Sequence, residues 1–191
     1  MSCGCGKKKA GFNPILPSAT GMASAPISLE PANWGPCFWH FLHNFTEKVG
    51  HSASPVVCHS QATIFRWIIT NIPTILPCQA CQAHAKEYII AHPLLSTLET
   101  LPGDAMREQL RTWFFAFHTA VRERLGQPVL VTDVEACRVM YESEPLNDGF
   151  IRDLSAYVIY AVRSGWVKLE AWKRWVTQYN RLKLAVGGTI T

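Results

Sequence analysis

The chain has 191 residues, which suits one domain with extensions better than two full domains. It is 48% hydrophobic with seven Trp and nine Phe, ample for a core, and its formal net charge of +4, much of it in Lys7, Lys8 and Lys9, excludes an extended nucleic-acid surface. No secretory leader is expected, because Pro14, Pro17 and Pro26 interrupt any apolar run, and the longest apolar helical stretch, Leu154 to Val162, is too short to span a membrane. A soluble protein of the cytoplasm is expected.

Residues 1–32 read as an N-terminal arm. MSCGCGKKK combines Cys3-Gly4-Cys5 with a basic run, and the Ala, Ser, Pro and Gly that follow show no period. From Gly6 to the first helix, a coil of that length reaches about 30 Å, so Cys3 and Cys5 can visit a distant site. An accidental surface pair and a working dithiol are equally open readings of these two residues.

A first helix is predicted from an N-cap at Asn33 to about Val49, with Phe38, Phe41, Leu42, Phe45 and Val49 as its core stripe. Trp39 and His43 stand four apart on an adjoining face. A second helix is expected over about 58–72, carrying Ala62, Phe65, Ile68, Ile69 and Ile72. Pro73 and Pro77 then break the chain before Cys78-Gln79-Ala80-Cys81, which opens a third helix ending near His92-Pro93. Cys78, Cys81, Ala85, Tyr88 and Ile89 recur at helical spacing, so both sulfurs face one side. Pro77 suits the first helical turn, and a sulfur at a helix N-terminus favours the thiolate. Two thiols so placed either close a short redox disulfide or supply half of a zinc site.

A fourth helix is predicted from about Gly103, capped by Asp104, to Leu125, with Leu110, Trp113, Phe114, Phe117, Val121 and Leu125 on its core face. Arg111, Phe115, His118 and Arg122 follow on a second face. Gly126 is a suitable C′ stop before Pro128. A short fifth helix, about 133–142, holds Cys137 and Tyr141. After a polar break come two more amphipathic helices, about 150–163 and 167–183. The last has Leu169, Trp172, Val176 and Tyr179 on its apolar side and Lys168, Lys173, Arg174, Arg181 and Lys183 on its outer side. The expected fold is all-α: a four-helix bundle plus a short fifth helix over 33–142, with a C-terminal helical extension over 143–191.

Seven cysteines fall as Cys3/Cys5, Cys37, Cys58, Cys78/Cys81 and Cys137. In a reducing compartment closely spaced pairs suggest redox or metal chemistry, whereas single ones default to small buried apolar residues. A dithiol passes electrons to oxygen slowly without a carrier, so an oxidase reading needs a cofactor beside the inner sulfur. Aromatic and His side chains on neighbouring helices would sandwich a flat one.

These residues resemble a family. Trp34-Gly35-Pro36 with Trp39-x-x-Leu42-His43, then Leu76-Pro77-Cys78-x-x-Cys81-x-x-His84, then Trp113-Phe114-Phe115-Ala116-Phe117-His118 with Val121-x-x-x-Leu125-Gly126-x-Pro128, closing near Tyr141, are similar to the Erv/ALR flavin-dependent sulfhydryl oxidases. The likeness is greatest to their compact viral members, of the African swine fever virus type. The resemblance implies FAD in the mouth of the bundle, contacted by Trp34, Gly35, Trp39, His43, His84, His118, Arg122 and Tyr141. It puts Cys81 next to the isoalloxazine and makes Cys78 the outer sulfur that exchanges with substrate dithiols. It further implies oxygen as final acceptor giving hydrogen peroxide, a homodimer, thioredoxin-like or virion proteins as partners, host cytoplasm or virion as location, and Cys3/Cys5 as a shuttle. No metal is expected.

The chain departs from the family pattern at His118-Thr119-Ala120-Val121-Arg122, where both usual Asn are gone, at Gln127 for Lys, and at Glu47 and Lys48 where aromatics are usual. Arg122 is expected to offer the FAD phosphates a charge-assisted contact. Cys137 lacks the partner cysteine of the family's extra disulfide. Two other readings stand beside the oxidase: a zinc-binding structural module and a catalytically silent relative kept for assembly.

Overall fold

The computed structural model describes residues 27–129, 131–146 and 148–188. Cys3 and Cys5 lie outside them. Within the described residues the chain forms seven α-helices and no strand: α1 (Pro31–Thr46), α2 (Pro55–Asn71), α3 (Gln79–Ala91), α4 (Gly103–Arg124), α5 (Val134–Tyr141), α6 (Gly149–Arg163) and α7 (Leu169–Ala185).

Proline sets several of the boundaries. α1 is capped by Glu30 rather than Asn33, because Pro31 occupies its first position, where the missing N–H costs nothing. α2 begins at Pro55 for the same reason, three residues before the predicted start. Pro77, by contrast, lies before the helix and not in its first turn: Cys78 is extended at the N-cap and α3 starts at Gln79. Asp104 is not the cap of α4; Pro102 is, and Asp104 sits in the first turn paired with Arg107. α4 ends as the sequence predicts. Gly126 has φ +62°, the Gly126 N–H donates to Glu123 O at 3.0 Å, and the Gln127 N–H donates to Arg122 O at 2.9 Å, a left-handed stop that glycine adopts without strain.

In the bundle, α1 packs on α4 and α5, and α2 packs on α3 and α4. Phe38, Leu42, Phe45, Phe65, Ile68 and Phe114 are at most 1% exposed and form its centre. The connections are tight: a Cβ on Gly50, at φ +77°, would lie 2.2 Å from the carbonyl oxygen of Gly103, so the α1–α2 turn and the start of α4 touch backbone to backbone.

The C-terminal helices bury their apolar sides in the same core, α6 against α1 and α7 against α2. Phe41 meets Trp175 at 5.3 Å between ring centroids, and Phe45 meets Tyr179 at 5.4 Å. Two expectations fail on α7. Leu169 is exposed, and its place in the core is taken by Trp175, which is fully buried. Lys183 is not on the outer side but buried, its ammonium on Asp148 beside the Tyr179 hydroxyl. Its aliphatic stem covers apolar surface while the charge finds a partner, so charge alone misassigns it. On α4, Leu125 is half-exposed instead of core, because it caps the helix end.

Candidate active site

The redox pair is held by a buried lead-in. Ile75 and Leu76, 0% and 3% exposed, anchor the chain after the short turn Ile72–Thr74, and Cys78 then caps α3. The Cys81 N–H points at the Cys78 sulfur, 3.2 Å away. Cys78 and Cys81 are joined in a disulfide with Cα atoms 5.2 Å apart, within the usual range for such a bridge. When the bridge opens, a Cys78 thiolate inherits the capping hydrogen bond and the positive end of the helix dipole. Gln82 secures this turn: its Nε2 donates to Leu76 O at 2.8 Å and to Trp166 O, in the α6–α7 turn, at 3.0 Å.

Beside the pair lies a cleft of ≈ 380 Å³. Its walls bring together Trp34, Gly35, Trp39 and His43 of α1, Cys81 and His84 of α3, His118 and Arg122 of α4, and Tyr141 of α5. Cys78 is not among the lining residues. The two cysteines thus differ in place and not in burial: Cys81 lines the cleft, and Cys78, equally half-buried, is the N-cap residue outside the lining.

Rings dominate the floor. Trp39 and His118 stack with centroids 4.2 Å apart and planes 8° from parallel, and His43 stacks on Tyr141 at 5.2 Å. His43 Nε2 lies 3.1 Å from His118 Nδ1, and His43 Nδ1 lies 3.5 Å from the Cys137 sulfur. Burial, aided by the His118 and His40 imidazoles, pushes His43 down to about 3. Burial together with the Arg122 guanidinium pushes His118 down to about 4. Both rings are therefore neutral at pH 7, each with one donor and one acceptor nitrogen. Arg122 reaches the cleft while its Nε and Nη2 donate to Pro128 O at 2.8 and 2.6 Å, so the turn at Gly126 helps to aim it.

The donor set suits a flat aromatic cofactor with a charged tail. Broad ring faces, neutral imidazoles and an apolar lining offer stacking and hydrogen bonds to a fused ring system. Arg122 and Arg124 offer guanidinium groups for a pyrophosphate. Among the described residues no group of three or more His, Cys, Asp or Glu converges as metal ligands.

Several lining residues escape the sequence reading. Val129 and Val131, in the α4–α5 connection, have no periodicity to betray them. Cys137 also lines the cleft, and its signal is present: it precedes Tyr141 by four residues on α5 and so shares its face. Glu47 is the other surprise. At a position where the family usually has an aromatic, it is 2% exposed and accepts from both Nε and Nη2 of Arg111 at 2.7 Å, tying the end of α1 to α4.

The model of the Erv1 / Alr family matches residues 36–142. The chain is 33% identical over 120 residues to a protein of Invertebrate iridescent virus 3 named for the FAD-linked sulfhydryl oxidases, covering 62% of this chain and 74% of that one. It is 34% identical over 115 residues to the FAD-linked sulfhydryl oxidase of African swine fever virus (isolate Tick/Malawi/Lil 20-1/1983), covering 60% and 85%. A second isolate's oxidase, Pig/Kenya/KEN-50/1950, is 34% identical over 98 residues, covering 51% and 72%. No solved structure matches the chain.

Proposed function

Because this chain belongs to the Erv1 / Alr family, which it matches over 36–142, we propose that it is an FAD-linked sulfhydryl oxidase that forms disulfide bonds in protein substrates. The observation that carries the reading is the asymmetry of the pair: Cys81 lines the cofactor cleft and Cys78 does not.

The chemistry follows from that asymmetry. A substrate thiolate attacks the Cys78 sulfur in line with the S–S bond, forming a mixed disulfide and releasing Cys81 as a thiolate. The second substrate thiol, deprotonated, attacks the substrate sulfur of that mixed disulfide. It leaves with a new substrate disulfide, and Cys78 departs as a thiolate. The helix N-terminus and the Cys81 N–H make Cys78 a good leaving group. The protein then holds two electrons and two protons more than before, as a Cys78/Cys81 dithiol. FAD, bound in the cleft, would supply a two-electron acceptor for the dithiol, so that the Cys78–Cys81 disulfide re-forms, and a route from there to O₂, which is reduced to H₂O₂. Trp39, His43, His118 and Tyr141 would hold its rings and Arg122 its phosphates. The neutral imidazoles add no proton source that would quench the Cys81 thiolate.

The finer proposals concern partners. Cys3 and Cys5, by their sequence, are assigned as a shuttle between protein substrates and Cys78. Thioredoxin-like and virion proteins are the proposed substrates, host cytoplasm the proposed place, and a homodimer the proposed state. Among the described residues no helix is long and apolar enough to cross a membrane.

The test is an absorbance spectrum of the purified protein, followed by oxygen consumption with dithiothreitol. Flavin bands and oxygen uptake are expected, with turnover abolished in Cys81→Ser and protein-substrate turnover alone slowed in Cys3→Ser/Cys5→Ser. A colourless protein that fails to take up added FAD would overturn the reading, and bound zinc in its place would restore the structural module.

A further inference from the structure

Cys137 is 4% exposed and lines the cofactor cleft, yet disulfide exchange at Cys78 and Cys81 has no use for a third sulfur there. Its surroundings supply another use. The Cys137 sulfur, His43 and His118 come from three helices, α5, α1 and α4, and stand in one hydrogen-bonded line, with Sγ to Nδ1 3.5 Å and Nε2 to Nδ1 3.1 Å. The line ends at His118, whose remaining nitrogen is Nε2, on a ring that forms part of the cleft wall and stacks on Trp39.

A neutral imidazole has one N–H and one bare nitrogen, and the partner of either nitrogen decides the tautomer of the whole ring. Two arrangements of the protons keep both hydrogen bonds of the line. In one the thiol donates to His43, His43 donates to His118, and His118 shows an N–H at Nε2. In the other every proton is reversed and His118 shows a bare nitrogen. Thiol sulfur is a weak acceptor, whereas an imidazole nitrogen is a strong one. The first arrangement places the most acidic proton against the stronger base. Both rings are held neutral by their burial, so no third arrangement with an imidazolium competes at pH 7.

We propose that Cys137 is a positioning residue: its thiol proton sets His43 and, through it, His118 as Nε2–H tautomers, so that His118 presents a hydrogen-bond donor to the bound cofactor. The inference rests on the FAD reading for its consequence but not for its geometry. Cys137 takes no part in electron transfer and stays reduced. Serine, a donor of nearly the same shape, substitutes for it, and alanine, which removes the donor, does not.

Nitrogen-15 spectra of the histidines in the purified protein, with FAD titration as a second readout, decide the matter. The expected result is Nε2–H at both His43 and His118 in the wild type and in Cys137→Ser. In Cys137→Ala the His43 tautomer becomes mixed and the FAD dissociation constant rises about tenfold, the scale of one lost hydrogen bond. A His43 found as Nδ1–H in the wild type, or a Cys137→Ala variant with unchanged tautomers or unchanged FAD affinity, overturns the proposal. Because tautomers are read without turnover, a protein that binds no FAD sinks the oxidase reading while its spectra still judge the relay.

Discussion

His43 and His118 store a dependence on pH that the bundle must carry. Each is neutral in the folded chain, held down to about 3 and about 4, whereas in the unfolded chain an imidazole takes a proton near 6.5. The unfolded state therefore binds more protons below pH 6.5. The stability contributed by burying these rings is complete above that pH and is lost as pH falls toward the folded values. The loss is about 1.4 kcal/mol per pH unit for each ring. Urea unfolding between pH 7 and pH 4 should show a steeper decline in the wild type than in His43→Gln, and equal slopes would mean that His43 is charged in the fold. At this scale the sequence is legible where residue type and spacing act together. Trp39, His43, Cys81 and His118 can be chosen from helical faces and a Cys-x-x-Cys. Cys137 is harder to choose: its spacing from Tyr141 is visible on α5, but a single cysteine on a short helix reads as inert until another helix brings His43 to its sulfur.

Between elements, the buried pair of Glu47 and Arg111 joins α1 to α4, and its two charges are 2% and 5% exposed. The pairing with Glu47, by hydrogen bond and charge, keeps the Arg111 guanidinium protonated beyond its usual range against the cost of burial. Removing one partner strands the other. Arg111→Met should cost about 3–5 kcal/mol in chemical denaturation. A Glu47→Leu/Arg111→Met double variant should recover most of the loss, since a well-packed apolar pair is often as stable as a buried ionic one. Additive losses would show that the two side chains do not rely on one another. Helix interiors here follow the sequence period closely, while helix starts do not. Pro31 and Pro55 open helices, Pro77 stays outside one, and the sequence alone offers each proline all of these roles. Lys183 fails for a related reason: its charge argues for solvent, and only the placement of Asp148, in the polar break at the start of α6, pulls it in.

For the molecule as a whole, α6 and α7 complete the core and are not an appendage to it. Trp175, Leu154, Val158 and Leu182 are fully buried, and their partners include Phe41 of the same helix that carries Trp39 and His43. A chain ending at residue 146 should lose its cooperative thermal transition or precipitate on expression. A truncated chain that melts at the full-length temperature would show that the bundle stands alone. The all-α class and the helix count were within reach of periodicity; the way the last two helices lie on α1 and α2 was not, since an amphipathic stripe says that a face is covered but not by what.

Only one cysteine of the bridge lines the cleft, and this separates two problems of recognition. In the proposed reading the cleft can be specific because it meets a single guest, beside Cys81. The outer sulfur need only be reachable, so any flexible segment that exposes a thiolate qualifies. Clients are then free to change in shape, number and sequence without a compensating change in the pocket, and the pocket can be tuned without loss of clients. A catalyst wired in this way behaves as an adaptor, with one fixed socket inside and a generic terminal outside.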